Sequence, residues 1–200
     1  MKNWIWLHPD TSETPEKWKR QFNQFRQAGI DAILPCLYTG SQTFYNSGHL
    51  PVAGEILEGM LPIAKATGLE LHVWMIALRC NIPQIQKEHP EWFCVSRNGE
   101  SSLKKLPYVG YYQWLCPSVP DVSHFVNRTV AELASYDQLD GIHLNYIRHP
   151  DVILPAALQP EHNLVQDREY PEFDFAVRKP VVLYFIKNMV LIRWTWKIQL

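Results

Sequence analysis

The sequence lacks an excess of basic residues and lacks long apolar runs. Its 19 lysines and arginines are balanced by 20 aspartates and glutamates, so no surplus of positive charge exists to neutralise a nucleic-acid backbone or an anionic lipid surface. The most apolar stretch is broken by Lys187 and Arg193, and a membrane span needs roughly 18 uninterrupted apolar residues. We therefore expect neither a nucleic-acid partner nor a membrane partner.

Cysteine is also scarce, and metal-binding patterns are missing. The four cysteines form no C-x-x-C pair, and no H-x-H pair occurs. These are the usual signatures of a zinc module and of a metal-dependent barrel hydrolase. We expect buried thiols, no metal and no cofactor, with a metal held by His8, His72 and His143 as a minor alternative.

What the sequence does have is a regular alternation of apolar segments with strand and helix character. Strands are predicted at residues 4–7, 30–38, 69–78 and 140–147, and helices at 14–28, 55–67 and 120–135. This βαβαβαβ order predicts a parallel sheet with right-handed crossovers. No glycine-rich phosphate turn follows the first strand, and polar residues follow the ends of several strands, which favours a (β/α)8 TIM-like barrel over a doubly wound sheet.

The chain is short for that architecture, because a complete barrel takes about 250 residues. We therefore expect a partial barrel made of the first four β/α units, over residues 1–174. The connection between Arg79 and Pro117 is long and rich in aromatic residues. It contains Asn98-Gly99, a strong turn signal, so a β-hairpin is predicted as an insertion after the third strand.

Residues 175–200 have a different composition from the rest of the chain. They contain no acidic residue, whereas all 20 acidic residues precede them. One interpretation is an atypical tail produced by a truncation or a frameshift. The other is that residues 180–186 are simply the next buried strand, and composition alone favours neither.

The fourth predicted strand carries the most informative polar residues. Side chains alternate along a strand, so His143 and Asn145 share one face with Gly141, while Ile142 and Leu144 take the other. The apolar pair suits a face covered by helices. His143 and Asn145 are then directed into the barrel near the C-terminal ends of the strands, where barrel enzymes hold their catalytic groups.

The run Asp-Gly-Ile-His-Leu-Asn-Tyr-Ile-Arg-His-Pro at 140–150, followed by Asp-Arg-Glu-Tyr-Pro-Glu-Phe-Asp at 167–174, resembles the family 10 glycosylhydrolase-like proteins. The resemblance implies a TIM-like barrel, an oligosaccharide or polysaccharide substrate, and export of the relatives. The family motif has an aspartate where this sequence has Asn145. An amide can neither transfer a proton as a carboxyl group does nor form a glycosyl ester, so the catalytic position is assigned to Asn145 and impaired hydrolysis is expected.

Seven further residues are candidates for sugar binding, through hydroxyl hydrogen bonds or through stacking on aromatic rings. They are His8, His72, Trp74, Trp114, His143, Tyr146 and Arg148. For Arg148 two roles stay open: binding a carboxylate or sugar hydroxyl, or pairing with Asp151 or Asp167.

The function expected from these observations is that of a glycoside-hydrolase-like protein that acts on or binds a glycan, in truncated or catalytically impaired form. A non-catalytic carbohydrate-binding protein is the alternative. A partial barrel has open strand edges, so self-association is expected. The N-terminal residues show no export signal, while the relatives are expected to be exported, so the sequence leaves the cellular location undecided.

Overall fold

A computed structural model describes residues 1–175, so nearly all of the tail of unusual composition lies outside the described residues. The strands are β1 (Trp4–Leu7), β2 (Ala32–Tyr38), β3 (Glu70–Ile76) and β4 (Gly141–Asn145). The helices are α1 (Pro15–Gln27), α2 (Ile56–Thr67), α3 (Pro83–Glu88) and α4 (Pro120–Ala134), with short 3-10 helices at Pro90–Trp92 and Gln159–His162.

The four strands form one parallel sheet in the order β1-β2-β3-β4. A doubly wound sheet reverses direction at a switch point, whereas a barrel adds each strand beside the previous one. The sequential order therefore confirms the predicted partial barrel. One face of the sheet carries apolar residues that are fully buried, among them Ile33, Leu71 and Val73, as expected of the face that the helices cover.

The opposite face of the sheet is concave. The rings of Trp6 on β1 and His143 on β4 have centroids 4.6 Å apart, although these strands are the two ends of the sheet. In a flat sheet three strand spacings would separate them by about 14 Å. Contact between their side chains requires strong curvature, and the side chains of this face point toward a common axis as they do inside a barrel.

Local sequence signals account for the helix boundaries. Thr14 accepts a hydrogen bond from the Lys17 amide at 3.3 Å and Pro15 occupies the first turn of α1, a favourable helix start. Gly68 ends α2 in the left-handed conformation, with φ 70°, which glycine adopts without steric cost. Both boundaries lie where the sequence predicts them.

The described residues divide into two compact units. Unit 1 contains Met1–Glu88 and Phe125–Arg148, and therefore all four strands. Unit 2 contains His89–His124 and the described residues from His149 onward. The long connection after β3 thus contributes to a core of its own, in which Phe93, Trp114 and Leu115 are completely buried.

The predicted hairpin lies in unit 2 and is shorter than expected. The Ser96 carbonyl accepts from the Gly99 amide at 2.9 Å, and the Ser96 amide donates to Glu100 at 2.8 Å, with Gly99 at φ 83°. This is a type I turn closed by a left-handed glycine. Only the isolated bridge between Val95 and Ser101 follows it, because Cys94 also donates to Trp114 at 2.7 Å.

All four cysteines are free and buried, which confirms the expectation for the thiols. Within residues 1–175, no helix combines the length and the apolar character needed to cross a membrane.

Candidate functional site

The C-terminal half of the concave face carries a cluster of aromatic and imidazole rings in unit 1. Trp6 makes edge-to-face contacts with Trp74 at 4.7 Å and with His143 at 4.6 Å. Trp74 also contacts His8, whose ring lies 4.8 Å away. We call these four residues the ring cluster. Trp6 remains 46% exposed, so the cluster leaves part of an aromatic surface open to solvent.

Strand alternation and register bring the cluster together. Trp74 and His143 are direct neighbours across β3 and β4, and Trp6 reaches them from β1 because the sheet is curved. His8 follows Leu7, the last residue of β1. The cluster therefore combines residues of β1, β3 and β4 with His8, which follows β1. It lies at the end of the sheet where the strands reach their C-terminal residues, and we call this end the mouth.

Two polar groups of the cluster are available for hydrogen bonding. Burial lowers the pKa of His143, and the charge of nearby His72 lowers it further, so the imidazole is neutral at neutral pH and offers both a donor and an acceptor. The buried indole N–H of Trp74 meets no hydrogen-bond acceptor among the described residues. A buried donor without an acceptor is uncommon in folded proteins, so this N–H can donate to water or to another bound molecule.

Asn145 ends β4 on the same face, beside Ile76 of β3. Its side-chain oxygen accepts from the amide of Tyr146 at 2.8 Å. Tyr146 has φ 55°, a left-handed conformation that is costly for a residue with a side chain. Asn145 therefore stabilises a strained turn immediately beyond the strand.

The turn brings the ring of Tyr146 close to two arginines, one in the loop that follows β3 and one in the loop that follows β4. The guanidinium carbons of Arg79 and Arg148 lie 5.6 Å and 5.8 Å from the centre of the Tyr146 ring, within the range of cation–π attraction. Arg79 also donates to the carbonyl of Thr39. Two cationic side chains therefore converge on one aromatic ring at the mouth.

Two sequence-predicted residues lie elsewhere. His72 is on the concave face but near the N-terminal end of β3, opposite Gly141, where it contacts Trp4 at 4.5 Å and Glu70 at 3.4 Å. It therefore does not reach the mouth, because the sheet register places it in a lower layer. Trp114 is completely buried in unit 2, and full burial gives it a packing role.

Sequence reasoning did not single out Trp6 or Arg79 as site residues. The alternation of Trp4 and Trp6 with Ile5 and Leu7 was a usable signal, because one face of an edge strand then carries only tryptophan. For Arg79, the signal was its place as the first charged residue after the apolar strand β3.

Carboxylates are rare on the described strands of the concave face. By alternation, the side chains of β1 to β4 contribute only Glu70 to this face, and Glu70 is paired with Lys2. Glu70 and the position of Asn145 are separated by six residues along the strand direction, about 20 Å. The carboxyl pair of a glycosidase is separated by about 5–9.5 Å, so Glu70 is too far away to complete such a pair.

Unit 1 has a second concave feature, which is separate from the mouth. A cleft of about 380 Å³ opens at the opposite end of the strands, where Lys65, Glu70, Asp137 and Asp140 line it. It contains none of the ring cluster. Across residues 1–175, no three His, Cys, Asp or Glu side chains are placed to hold a metal ion together.

Comparison with solved structures supports the barrel architecture. The chain is similar to a hypothetical protein from Ruminiclostridium thermocellum, with TM-score 0.60 and 17% identity over 74% of this chain and 78% of that one. It is also similar to an α-L-fucosidase from Paenibacillus thiaminolyticus, with TM-score 0.57 and 13% identity over 86% of this chain and 28% of that one. For a β-galactosidase from Marinomonas ef1 the TM-score is 0.55 and the identity 14%, over 72% and 21%.

At these identities the likeness concerns the fold. The chain spans less than a third of the length of either named glycosidase. No protein-family model matches the chain, and no curated protein matches it.

Proposed function

We propose that this chain is a glycoside-hydrolase-like protein that binds a glycan at the mouth of its curved sheet and does not hydrolyse it by the usual two-carboxylate mechanism. The ring cluster is the observation that carries this proposal. Trp6 and Trp74 provide flat aromatic surfaces suited to the C–H faces of sugar rings. His143 and the free Trp74 indole N–H provide hydrogen-bonding groups for hydroxyls.

The partial-barrel fold and the glycosidases among the structural neighbours support a carbohydrate ligand. The resemblance of residues 140–150 to the family 10 glycosylhydrolase-like proteins supports the same assignment and selects Asn145 as the position of the family carboxylate. Asn145 lies on β4 at the mouth, next to the ring cluster.

Absence of hydrolysis follows from the chemistry of these residues. The amide of Asn145 cannot act as the acid, base or nucleophile of a glycosidase. Glu70 is the one carboxylate on the described concave strands, and it lies in a salt bridge with Lys2 at the far end. These observations favour binding without turnover, which is the behaviour of a carbohydrate-binding protein built on an enzyme fold.

A matched pair of tryptophan variants tests the site. Trp4 and Trp6 lie on the same strand with 45% and 46% exposure, but only Trp6 belongs to the ring cluster, whereas Trp4 contacts His72. In isothermal titration against a panel of neutral and acidic oligosaccharides, Trp6→Ala is expected to weaken binding about tenfold, and Trp4→Ala about twofold or less. Equal effects of the two substitutions would place the binding site elsewhere.

Hydrolysis is measured on the same panel. Binding without release of reducing ends supports the proposal. Turnover by the purified chain that disappears in Trp6→Ala would show instead that the mouth is a working active site with carboxylates supplied from outside the described strands.

A further inference from the structure

Building on the proposed function, we infer that the glycan bound at the mouth is acidic, and that Arg79 and Arg148 form a subsite for its anionic group. The shared chemistry is a carboxylate of a uronic acid or a sulfate ester. Both guanidinium groups lie beside the ring of Tyr146, one residue beyond Asn145. The subsite therefore adjoins the position that corresponds to the family carboxylate.

The charges along the concave face are unevenly distributed between its two ends. At the N-terminal end, Glu70 is paired with Lys2 and lies 3.4 Å from His72. At the mouth, the described strands contribute the imidazole of His143, the amide of Asn145 and no carboxylate, and Arg79 and Arg148 lie in the loops that follow β3 and β4. The acids of the loops after β1 and β4 have partners of their own, since Asp10 accepts from Ser12 and Asp151 accepts from Tyr108. The two arginines would attract a negatively charged group of a ligand to the mouth. The low polarity of the surrounding rings would strengthen this attraction.

Arg79 is held in place by its surroundings. It is half-buried, and it donates to the Thr39 carbonyl after β2. Its backbone lies against Gly40, where a Cβ atom would approach the Arg79 carbonyl oxygen to 2.3 Å. These contacts hold the loops after β2 and β3 together, and they restrict the backbone of Arg79.

Arg148 is exposed and follows the strained turn at Tyr146. A guanidinium binds a carboxylate or sulfate through two parallel N–H donors, which gives directionality that a lysine lacks. The fixed Arg79 and the accessible Arg148 would contact one anionic group from two loops. Tyr146 supplies the aromatic surface that both side chains share.

The inference is tested with two ligands that differ only in charge, an oligogalacturonide and its methyl ester, and with a sulfated carrageenan oligosaccharide. Binding is measured by isothermal titration of the full chain. We expect the oligogalacturonide or the sulfated ligand to bind at least tenfold more tightly than the neutral ester, with an affinity that falls as salt is added. The ligand that binds identifies carboxylate or sulfate as the recognised group.

Arg148→Gln is expected to remove most of this preference, because it should lower the affinity for the acidic ligand far more than the affinity for the neutral ester. Arg79→Gln should act in the same direction, and circular dichroism will show whether the variant folds. Arg20→Gln, at an exposed position of α1, is the matched control and should retain the preference.

The outcomes separate this inference from the proposed function. Equal binding of the acidic ligand and the neutral ester, or binding of neutral glycans alone, would overturn the acidic subsite and leave glycan binding intact. An acidic preference that survives both Arg79→Gln and Arg148→Gln would also overturn it. Failure of every oligosaccharide to bind would refute the proposed function itself.

Discussion

Replacement of Gly40 by alanine tests how the mouth is held together. Gly40 has φ 76°, and an added Cβ would lie 2.3 Å from the carbonyl oxygen of Arg79. The left-handed conformation alone costs a residue with a side chain about 1–2 kcal/mol. Relief of the clash must also move backbone, because the Gly40 carbonyl accepts from the Asn81 amide at 2.7 Å, a hydrogen bond worth about 1 kcal/mol.

Adding these contributions, Gly40→Ala should lower the free energy of unfolding by about 2–3 kcal/mol. Gly29→Ala is the matched control, because Gly29 has φ 81° but nothing lies within 4 Å of its added Cβ. It should cost only the conformational share of about 1–2 kcal/mol. Both are measured by urea unfolding followed through tryptophan fluorescence. Equal losses in the two variants would refute the close contact between Gly40 and Arg79.

Four further predictions follow from other parts of the chain. Asn145→Asp should keep the hydrogen bond to the Tyr146 amide but should not hydrolyse glycans, because Glu70 is too far away to act as the second carboxylate. A gain of turnover would instead reveal a second carboxylate outside the described strands. Trp114→Ala should destabilise the chain by about 3–5 kcal/mol in urea unfolding while the folded fraction keeps its glycan affinity, and a selective loss of affinity would contradict its packing role. Burial lowers the pKa of His143 below the ordinary 6.5, so the unfolded chain binds a proton at this imidazole more readily than the folded chain, and stability should fall as pH drops below about 6.5. In thermal melts at pH 5 to 7, His143→Gln should reduce the dependence of stability on pH. An unchanged dependence would exclude His143 as a contributor. Within residues 1–175, β1 and β4 are the edge strands of the sheet, and unpaired edges favour concentration-dependent self-association; a monomer at all concentrations in gel filtration would argue against it.

The sequence was sufficient for much of unit 1 because its signals are local. The strand at Trp4–Leu7 was predicted with its observed bounds, and the glycine after α2 marked the end of that helix. Strand order followed from the βαβ rule, which leaves few topologies for short right-handed connections. These features depend on residues close together in the chain.

Other features depend on contacts that sequence patterns do not specify. Helix α3 has six residues and no buried side chain, so it produces no apolar periodicity. The alternation of β3 placed His72 on the concave face, but its depth depends on the register with β4. The convergence of Arg79 and Arg148 depends on two loops far apart in the sequence and on the left-handed turn at Tyr146.

The strand order has a consequence for how the sheet is assembled during synthesis. Each strand pairs with the one made just before it, so no early strand must be displaced to admit a later one. Domains fold in N-terminal to C-terminal order as the ribosome releases them. Here β1 to β3 can join while β4 is still being translated, and each new strand of the described sheet pairs with the edge formed by the strand before it.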